Sequence, residues 1–118
     1  MKNNRILVQT RVPSALRIYL KAYAKQQGKS LDDSCEGILS AFFECAPWQQ
    51  GFVWRIPQSH RTDSGESQGW AQFNVWITAE YAAQIESIAV QQAVSKSAVL
   101  YSAWVWFAQF IAPPRIPS

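Results

Sequence analysis

The segment that determines how this chain folds is Ile6-Leu7-Val8-Gln9-Thr10-Arg11-Val12-Pro13. Its β-branched residues favour a strand, while its proline is unable to continue a sheet ladder and commonly starts a helix. A second segment of the same kind, Gln72-Phe73-Asn74-Val75-Trp76-Ile77, lies in the second half of the chain. We therefore predict two strands, each of them leading into helices.

Helical periodicity follows the first predicted strand. Apolar residues recur at helical spacing from Leu16 to Ala24, and Gly28 is expected to end this helix with a left-handed cap. Ser30 is a typical N-cap for a second helix, which ends before Pro47. The residues that this second helix is expected to bury are Cys35, Ile38, Leu39 and Phe42.

The second half of the chain repeats this order of elements. Thr78 caps a third predicted helix, and a fourth begins after Ser95. Aligning Val12 with Ile77 also aligns Ser30 with Ser95 without a gap, because the two pairs have the same separation along the chain. The sequence therefore contains an internal repeat. Two residues that this alignment superimposes are called counterparts below.

The length of the chain, 118 residues, favours a single domain over 1–118 in which both repeats share one core. The first unit is expected to span 5–48 and the second 71–114, and the polar residues between them indicate a linker over 49–70. Within this linker, Phe52-Val53-Trp54-Arg55-Ile56 is expected to form a short extra strand.

Several classes of protein are disfavoured by the composition. Cys35 and Cys45 are ten positions apart and His60 is the only histidine, which fits neither a disulfide framework nor a zinc site. No stretch approaches the ~20 apolar residues that span a bilayer, and the N-terminus lacks signal-peptide character. Nucleophile motifs, glycine-rich phosphate loops and paired catalytic carboxylates are also missing from the sequence. We therefore expect a cytoplasmic protein, not an enzyme, with reduced cysteines, no metal or cofactor and no membrane contact.

The charge of the chain is unevenly distributed. The basic residues that precede the first acid, Asp32, are Lys2, Arg5, Arg11, Arg17, Lys21, Lys25 and Lys29. Such an asymmetry favours a polyanionic partner, of which DNA is the commonest, although a basic helix face is more often solvated surface.

The order of elements and two short motifs give the chain a family resemblance. Val8-Gln9-Thr10-Arg11-Val12-Pro13 followed by Gly28-Lys29-Ser30, and Gln72-Phe73-Asn74 in the second half, resemble the ribbon-helix-helix repressors of the Arc and MetJ type. In that family two copies intertwine and pair their strands antiparallel. The resemblance implies a mostly α-helical fold with a two-stranded antiparallel β-ribbon, built from two units that form a pseudo-dimer in one chain. It also implies sequence-specific binding of double-stranded DNA through the major groove, by a transcriptional regulator such as a repressor.

Candidate contacts with DNA are of two kinds. The outward positions of the ribbon, expected to contact bases, are Leu7, Gln9, Arg11, Gln72, Asn74 and Trp76. The starts of the second helix of each unit, expected either to contact phosphates or only to cap their helices, carry Lys29, Ser30, Ser95 and Lys96. Amides pair with adenine and arginine with guanine. Trp76 either contacts a thymine methyl group, stacks at the edge of the groove, or makes the ribbon a protein-binding surface.

The final predicted helix supports an alternative function. Its aromatic side chains cover more than one face and include Trp104, Trp106, Phe107 and Phe110. They either contact a protein partner or a second copy of the chain, or are covered by Phe52 and Trp54 of the linker. In the first case the chain is a protein-interaction module derived from a ribbon-helix-helix protein, antitoxin-like or phage-derived, with little or no DNA binding.

Overall fold

The described part of the chain, residues 5–57 and 69–113 of a computed structural model, contains two strands and four α-helices. In chain order the elements are β1 (Arg5–Pro13), α1 (Ser14–Gln26), α2 (Leu31–Cys45), a 3-10 helix (Pro47–Gln50), β2 (Trp70–Thr78), α3 (Ala79–Gln92), α4 (Lys96–Trp106) and a π-helical turn (Phe107–Ile111). The prediction of a mostly helical chain with a two-stranded antiparallel sheet is confirmed. Lys2 and His60 lie outside the described residues. None of the described helices is long and apolar enough to cross a bilayer.

The two strands form an antiparallel pair, called the ribbon below. Its register is symmetrical about one pair, Gln9 opposite Asn74, with four further pairs on either side. Asn74 is also the counterpart of Gln9, so both strands place the same repeat position at the centre of the ribbon. The helices follow the same alignment, because the first residues of α1 and α3 are counterparts, and so are those of α2 and α4.

The helices of the two units also begin in the same way. Ser30 caps α2 by accepting the backbone N–H of Asp33 at 3.1 Å. Ser95 caps α4 in the same manner and accepts the N–H of Ala98 at 3.0 Å. Both predicted caps are confirmed, and so is the left-handed residue after α1, Gly28, whose φ is 68°.

The helices pack against one face of the ribbon and bury its inward side chains. The buried strand residues are Thr10, Val12, Phe73, Val75 and Ile77. Trp104 of α4 is fully buried beneath them, with its ring edge-on to Phe73 at 5.8 Å between centroids. Thr10 is accommodated in this apolar core because its hydroxyl donates to the carbonyl of Ser97 at 3.4 Å. The predicted core residues of α2 are buried as well, and burial raises the pKa of the Cys35 thiol.

The extra strand predicted over 52–56 is wrong, because this segment has no regular secondary structure. It lies against α4 instead, where the backbone N–H of Arg55 donates to the hydroxyl of Ser102 at 2.8 Å. Trp54 stacks on Trp48 of the 3-10 helix at 5.3 Å, and both rings contact Phe42 of α2. The segment is therefore held by a helix and by aromatic rings rather than by the edge of the ribbon.

The last helix is covered from within the chain. Trp104, Trp106 and Phe107 are buried, so of the two alternatives for these side chains the structure supports burial within the chain. Phe110 differs, because it lies in the π-helical turn and is 63% exposed. Its ring is edge-on to that of Phe52 in the linker, with 6.3 Å between the ring centroids.

Candidate nucleic-acid interface

The outer face of the ribbon consists of six side chains directed away from the helical core: Leu7, Gln9, Arg11, Gln72, Asn74 and Trp76. Five of them are exposed, and Arg11 is half-buried. Alternation along the strands accounts for this arrangement, because the residues between them face the helices. The residues that the sequence predicts as base contacts thus lie together on one surface.

Cross-strand pairing divides the outer face into three rungs. These are Leu7 opposite Trp76, Gln9 opposite Asn74, and Arg11 opposite Gln72. The first rung, called the apolar end, exposes 38% of Leu7 and 48% of Trp76. The third rung, called the polar end, carries a guanidinium and an amide. The outer face therefore changes from apolar to polar along its length, with two amides at its centre.

Two carboxylates of α2 hold β2 at the apolar end. Asp32 accepts the backbone N–H of Trp76 at 2.9 Å. Glu36 accepts the backbone N–H of Thr78 at 2.6 Å. These N–H groups lie on the edge of β2 that does not face β1, so α2 supplies partners to an edge that would otherwise be exposed.

Arg5, the first residue of β1, completes an ion-pair cluster at the same end. Its guanidinium lies 2.6 Å from Asp33, 3.5 Å from Glu36 and 3.9 Å from Asp32. The hydrogen bond from Arg5 holds the pKa of the Asp33 carboxyl below its ordinary value. One of the basic residues of the first thirty is therefore engaged by acids, and the cluster as a whole is negative.

The hydrogen bond from the backbone of Trp76 to α2 also shows which kind of antiparallel pair Leu7 and Trp76 form. Because the N–H of Trp76 is donated to Asp32, Leu7 and Trp76 form a non-hydrogen-bonded pair, in which opposed Cα atoms lie about 4.5 Å apart. Side chains approach most closely at such positions. Leu7 and Trp76 therefore present one continuous apolar surface.

The start of α4 supports the ribbon towards its polar end. The hydroxyl of Ser97 donates to the carbonyl of Gln9 at 3.5 Å. A groove of about 500 Å³ lies beside this contact and is lined by Gln9, Thr10, Arg11, Ile56, Pro57, Gln72, Ser95 and Ser97. None of these lining residues is acidic, in contrast to the cluster at the apolar end.

The predicted phosphate contacts lie at two unlike helix starts. All four of these residues are exposed or partly exposed, namely Lys29, Ser30, Ser95 and Lys96. The first turn of α2 contains Asp32 and Asp33, whereas the first turn of α4 contains no acid. The positive end of the helix dipole is therefore offset by carboxylates at α2, while at α4 it remains favourable to an anion.

A groove of about 490 Å³ beside β1, between Leu7 and α3, was not predicted from the sequence. Its α3 wall carries Ala82 and Ala83, whereas their counterparts in α1 are Arg17 and Ile18. The side chains of α3 that line the groove are thus smaller than their counterparts in α1. The two adjacent alanines are the feature of the sequence that marks this groove.

Comparison of this chain with protein-family models, with curated proteins and with solved structures finds no match. The residues of the outer face and the helices that hold them are therefore the basis for any inference about function.

Proposed function

We propose that this chain is a tandem ribbon-helix-helix protein, a pseudo-dimer whose ribbon binds in the major groove of double-stranded DNA. The symmetrical register supports this architecture, because Gln9 pairs with Asn74, its counterpart in the second repeat. Two copies of one strand related by a two-fold axis would pair in the same way. Each unit contributes one strand and two helices to a common core.

The row of exposed amides on the outer face is the observation that carries the proposed function. Gln9, Asn74 and Gln72 occupy neighbouring positions of the ribbon, and Arg11 lies opposite Gln72. A two-stranded ribbon fits the major groove, which is about 12 Å wide. There an amide can pair with adenine through two hydrogen bonds and arginine can pair likewise with guanine. These side chains would give the protein its preference for one sequence.

Contacts with the DNA backbone would add affinity that does not depend on sequence. Lys96 and Ser95 stand at the start of α4, and Lys29 and Ser30 at the start of α2. The acids in the first turn of α2 repel a phosphate, so we expect the start of α4 to make the firmer contact. The function that such binding would serve is transcriptional regulation, with repression as its simplest form, since a bound ribbon excludes other proteins from the groove.

The alternative function, a protein-interaction module, has less support. The aromatic surface on which it rests is largely internal, because Trp104, Trp106 and Phe107 are buried. Phe110 is the member of that group that stays exposed. Among the described residues, the exposed aromatic rings left for a protein partner are therefore Phe110 and Trp76, and Trp76 belongs to the outer face of the ribbon.

Selection of bound fragments from a random pool of duplexes by the purified chain tests the proposal. We expect enrichment of an imperfect palindrome, because the register is symmetrical while the rungs differ in chemistry. Asn74→Ala should cost about 1–3 kcal/mol of binding free energy on the selected site and little on random DNA. Lys96→Ala is the matched control: it should weaken all duplexes alike and lower the salt slope of log K by roughly 0.9.

Two results would contradict the proposal. A chain that enriches no sequence and shows no salt-dependent binding does not have this function. If a sequence is enriched but Asn74→Ala binds every duplex as the wild type does, the ribbon is not the element that contacts the bases.

A further inference from the structure

We propose that Leu7 and Trp76 recognise the 5-methyl groups of thymines in one half of the DNA site, an inference that rests on the proposed function. The apolar end of the outer face then determines specificity by apolar contact, while the rest of the face acts through hydrogen bonds. The bound site accordingly has one half that is defined by methyl groups and one half that is defined by polar base edges.

The apolar end is exposed and firmly anchored. Leu7 and Trp76 are directly opposed in a non-hydrogen-bonded pair, so their side chains form one surface. The backbone of β2 is held there by two hydrogen bonds, in which the N–H groups of Trp76 and Thr78 donate to carboxylates of α2. β1 is held by the ion pair of Arg5 with Asp33, two residues before Leu7. An anchored surface loses little conformational entropy when it binds.

Thymine is the base whose edge matches these two side chains. In the major groove the other bases present hydrogen-bond donors and acceptors, whereas thymine adds a methyl group at C5. Leu7 has no polar side-chain atom, and the indole of Trp76 has a single donor and a large apolar ring. A rung of these two residues therefore gains most by covering methyl groups, because this contact removes apolar surface from water on both sides.

The charged groups around the apolar end are engaged with one another and with the ribbon. The guanidinium of Arg5 lies near all three carboxylates of α2, at 2.6 Å from Asp33, 3.5 Å from Glu36 and 3.9 Å from Asp32. The same carboxylates already accept the N–H groups of Trp76 and Thr78 and the guanidinium. The polar groups at this end are thus committed to holding the ribbon, and the apolar rung is what remains to contact a base.

Replacement of thymine by deoxyuridine tests the inference, because it removes the methyl group and leaves base pairing unchanged. The probe is the duplex that the purified chain selects, with one thymine replaced at a time. Each replacement under the apolar end should weaken binding roughly fourfold, the change expected for one methyl group. Replacement in the half under the polar end should leave the affinity unchanged.

Two variants with matched exposure assign the effect to the apolar rung. Trp76→Ala should reduce the difference between thymine and deoxyuridine, and the double variant Leu7→Ala with Trp76→Ala should abolish it, because the methyl groups have then lost both contacts. Gln72→Ala, at the polar end, should keep the full difference while it weakens binding to its own half of the site. Both side chains are exposed, so both variants should retain the helical circular dichroism of the wild type. Trp76→Phe should keep much of the response, because it retains an aromatic ring.

Tight binding that is the same for thymine and deoxyuridine duplexes would overturn this inference and leave the proposed function intact. A methyl response that survives the loss of both Leu7 and Trp76 would overturn it as well. Failure to bind any duplex would refute the proposed function, and the inference would fall with it.

Discussion

The two ends of the ribbon are supported by different chemistry at equivalent positions of the repeat. At the apolar end Arg5 lies 3.5 Å from Glu36. At the polar end the ring of Trp70 packs on Tyr101, with 5.3 Å between centroids. Trp70 is the counterpart of Arg5, and Tyr101 is the counterpart of Glu36. An ion pair in one repeat thus occupies the place of an aromatic contact in the other.

This difference shows that the same arrangement of strand and helix can be held either by an ion pair or by an aromatic contact. An aromatic pair gains from burial and is insensitive to salt, whereas a partly buried ion pair near the surface is screened by salt and weakened by acid. Both link the first residue of a strand to the second helix of a unit. The two ends should therefore respond differently to the same change of conditions, and a core residue beneath both should affect them together.

The largest effect is expected from the shared core. Trp104→Ala should lower the free energy of unfolding by about 3–5 kcal/mol, because a fully buried ring that packs on Phe73 is replaced by a cavity. Trp104→Phe should cost less, since the indole N–H has no hydrogen-bond partner among the described residues. Urea unfolding measures both. Trp76→Ala, an exposed tryptophan, is the control, and an equal loss for Trp76 and Trp104 would show that Trp104 is not a core residue.

A smaller effect is expected for the aromatic contact at the polar end. A double-mutant cycle with Trp70→Leu and Tyr101→Leu should give a coupling free energy of about 0.5–1.5 kcal/mol. The coupling should be the same at low salt and at about 1 M salt, because neither ring is charged. Zero coupling, or a coupling that salt removes, would contradict the comparison of the two ends.

The smallest effect is expected for the ion pair of Arg5 with Asp33 at the apolar end, because the Asp33 carboxylate is exposed. The cycle of Arg5→Met with Asp33→Asn should give a coupling below that of the aromatic pair, and about 1 M salt should reduce it. The pKa of Asp33 is lowered in the folded chain, so its stabilising contribution is present above the ordinary pKa of the carboxyl. It is lost as the pH falls through the lowered value. Unfolding of wild type and Asp33→Asn over a pH series measures this, and parallel curves down to acid pH would show that the pair contributes nothing.

Local patterns in the sequence were sufficient to predict the strands and helices and the residues of the outer face. Ser30 and Ser95 cap the helices that they are predicted to cap, because a cap depends on residues three positions away. Alternation in the two strands separates inward from outward side chains for the same reason, since it depends on backbone geometry alone. The half-buried state of Arg11 does not follow from alternation, because it depends on what packs beside the ribbon.

Contacts between distant residues account for what the sequence did not predict. The hydrogen bond of Arg5 to Asp33 joins residues 28 positions apart, and no local pattern indicates that this basic residue meets acids. The contact of Arg55 with Ser102 spans 47 positions. The aromatic and β-branched residues of 52–56 favour a strand, but a strand must pair with the free edge of a sheet. The fold places α4 beside this segment instead of an edge of the ribbon. The same packing buries Trp106 and Phe107, for which the sequence left both a partner contact and burial within the chain open.

The pairing of β1 with β2 within one chain has a consequence for how such a surface changes during evolution. In a ribbon made by two identical chains, every substitution occurs twice and alters both ends at once. Here a substitution at Leu7 leaves its counterpart Gln72 untouched, and one at Trp76 leaves Arg11 untouched. Each rung can therefore diverge on its own, and a gene for one chain can acquire an outer face that two identical strands are unable to form.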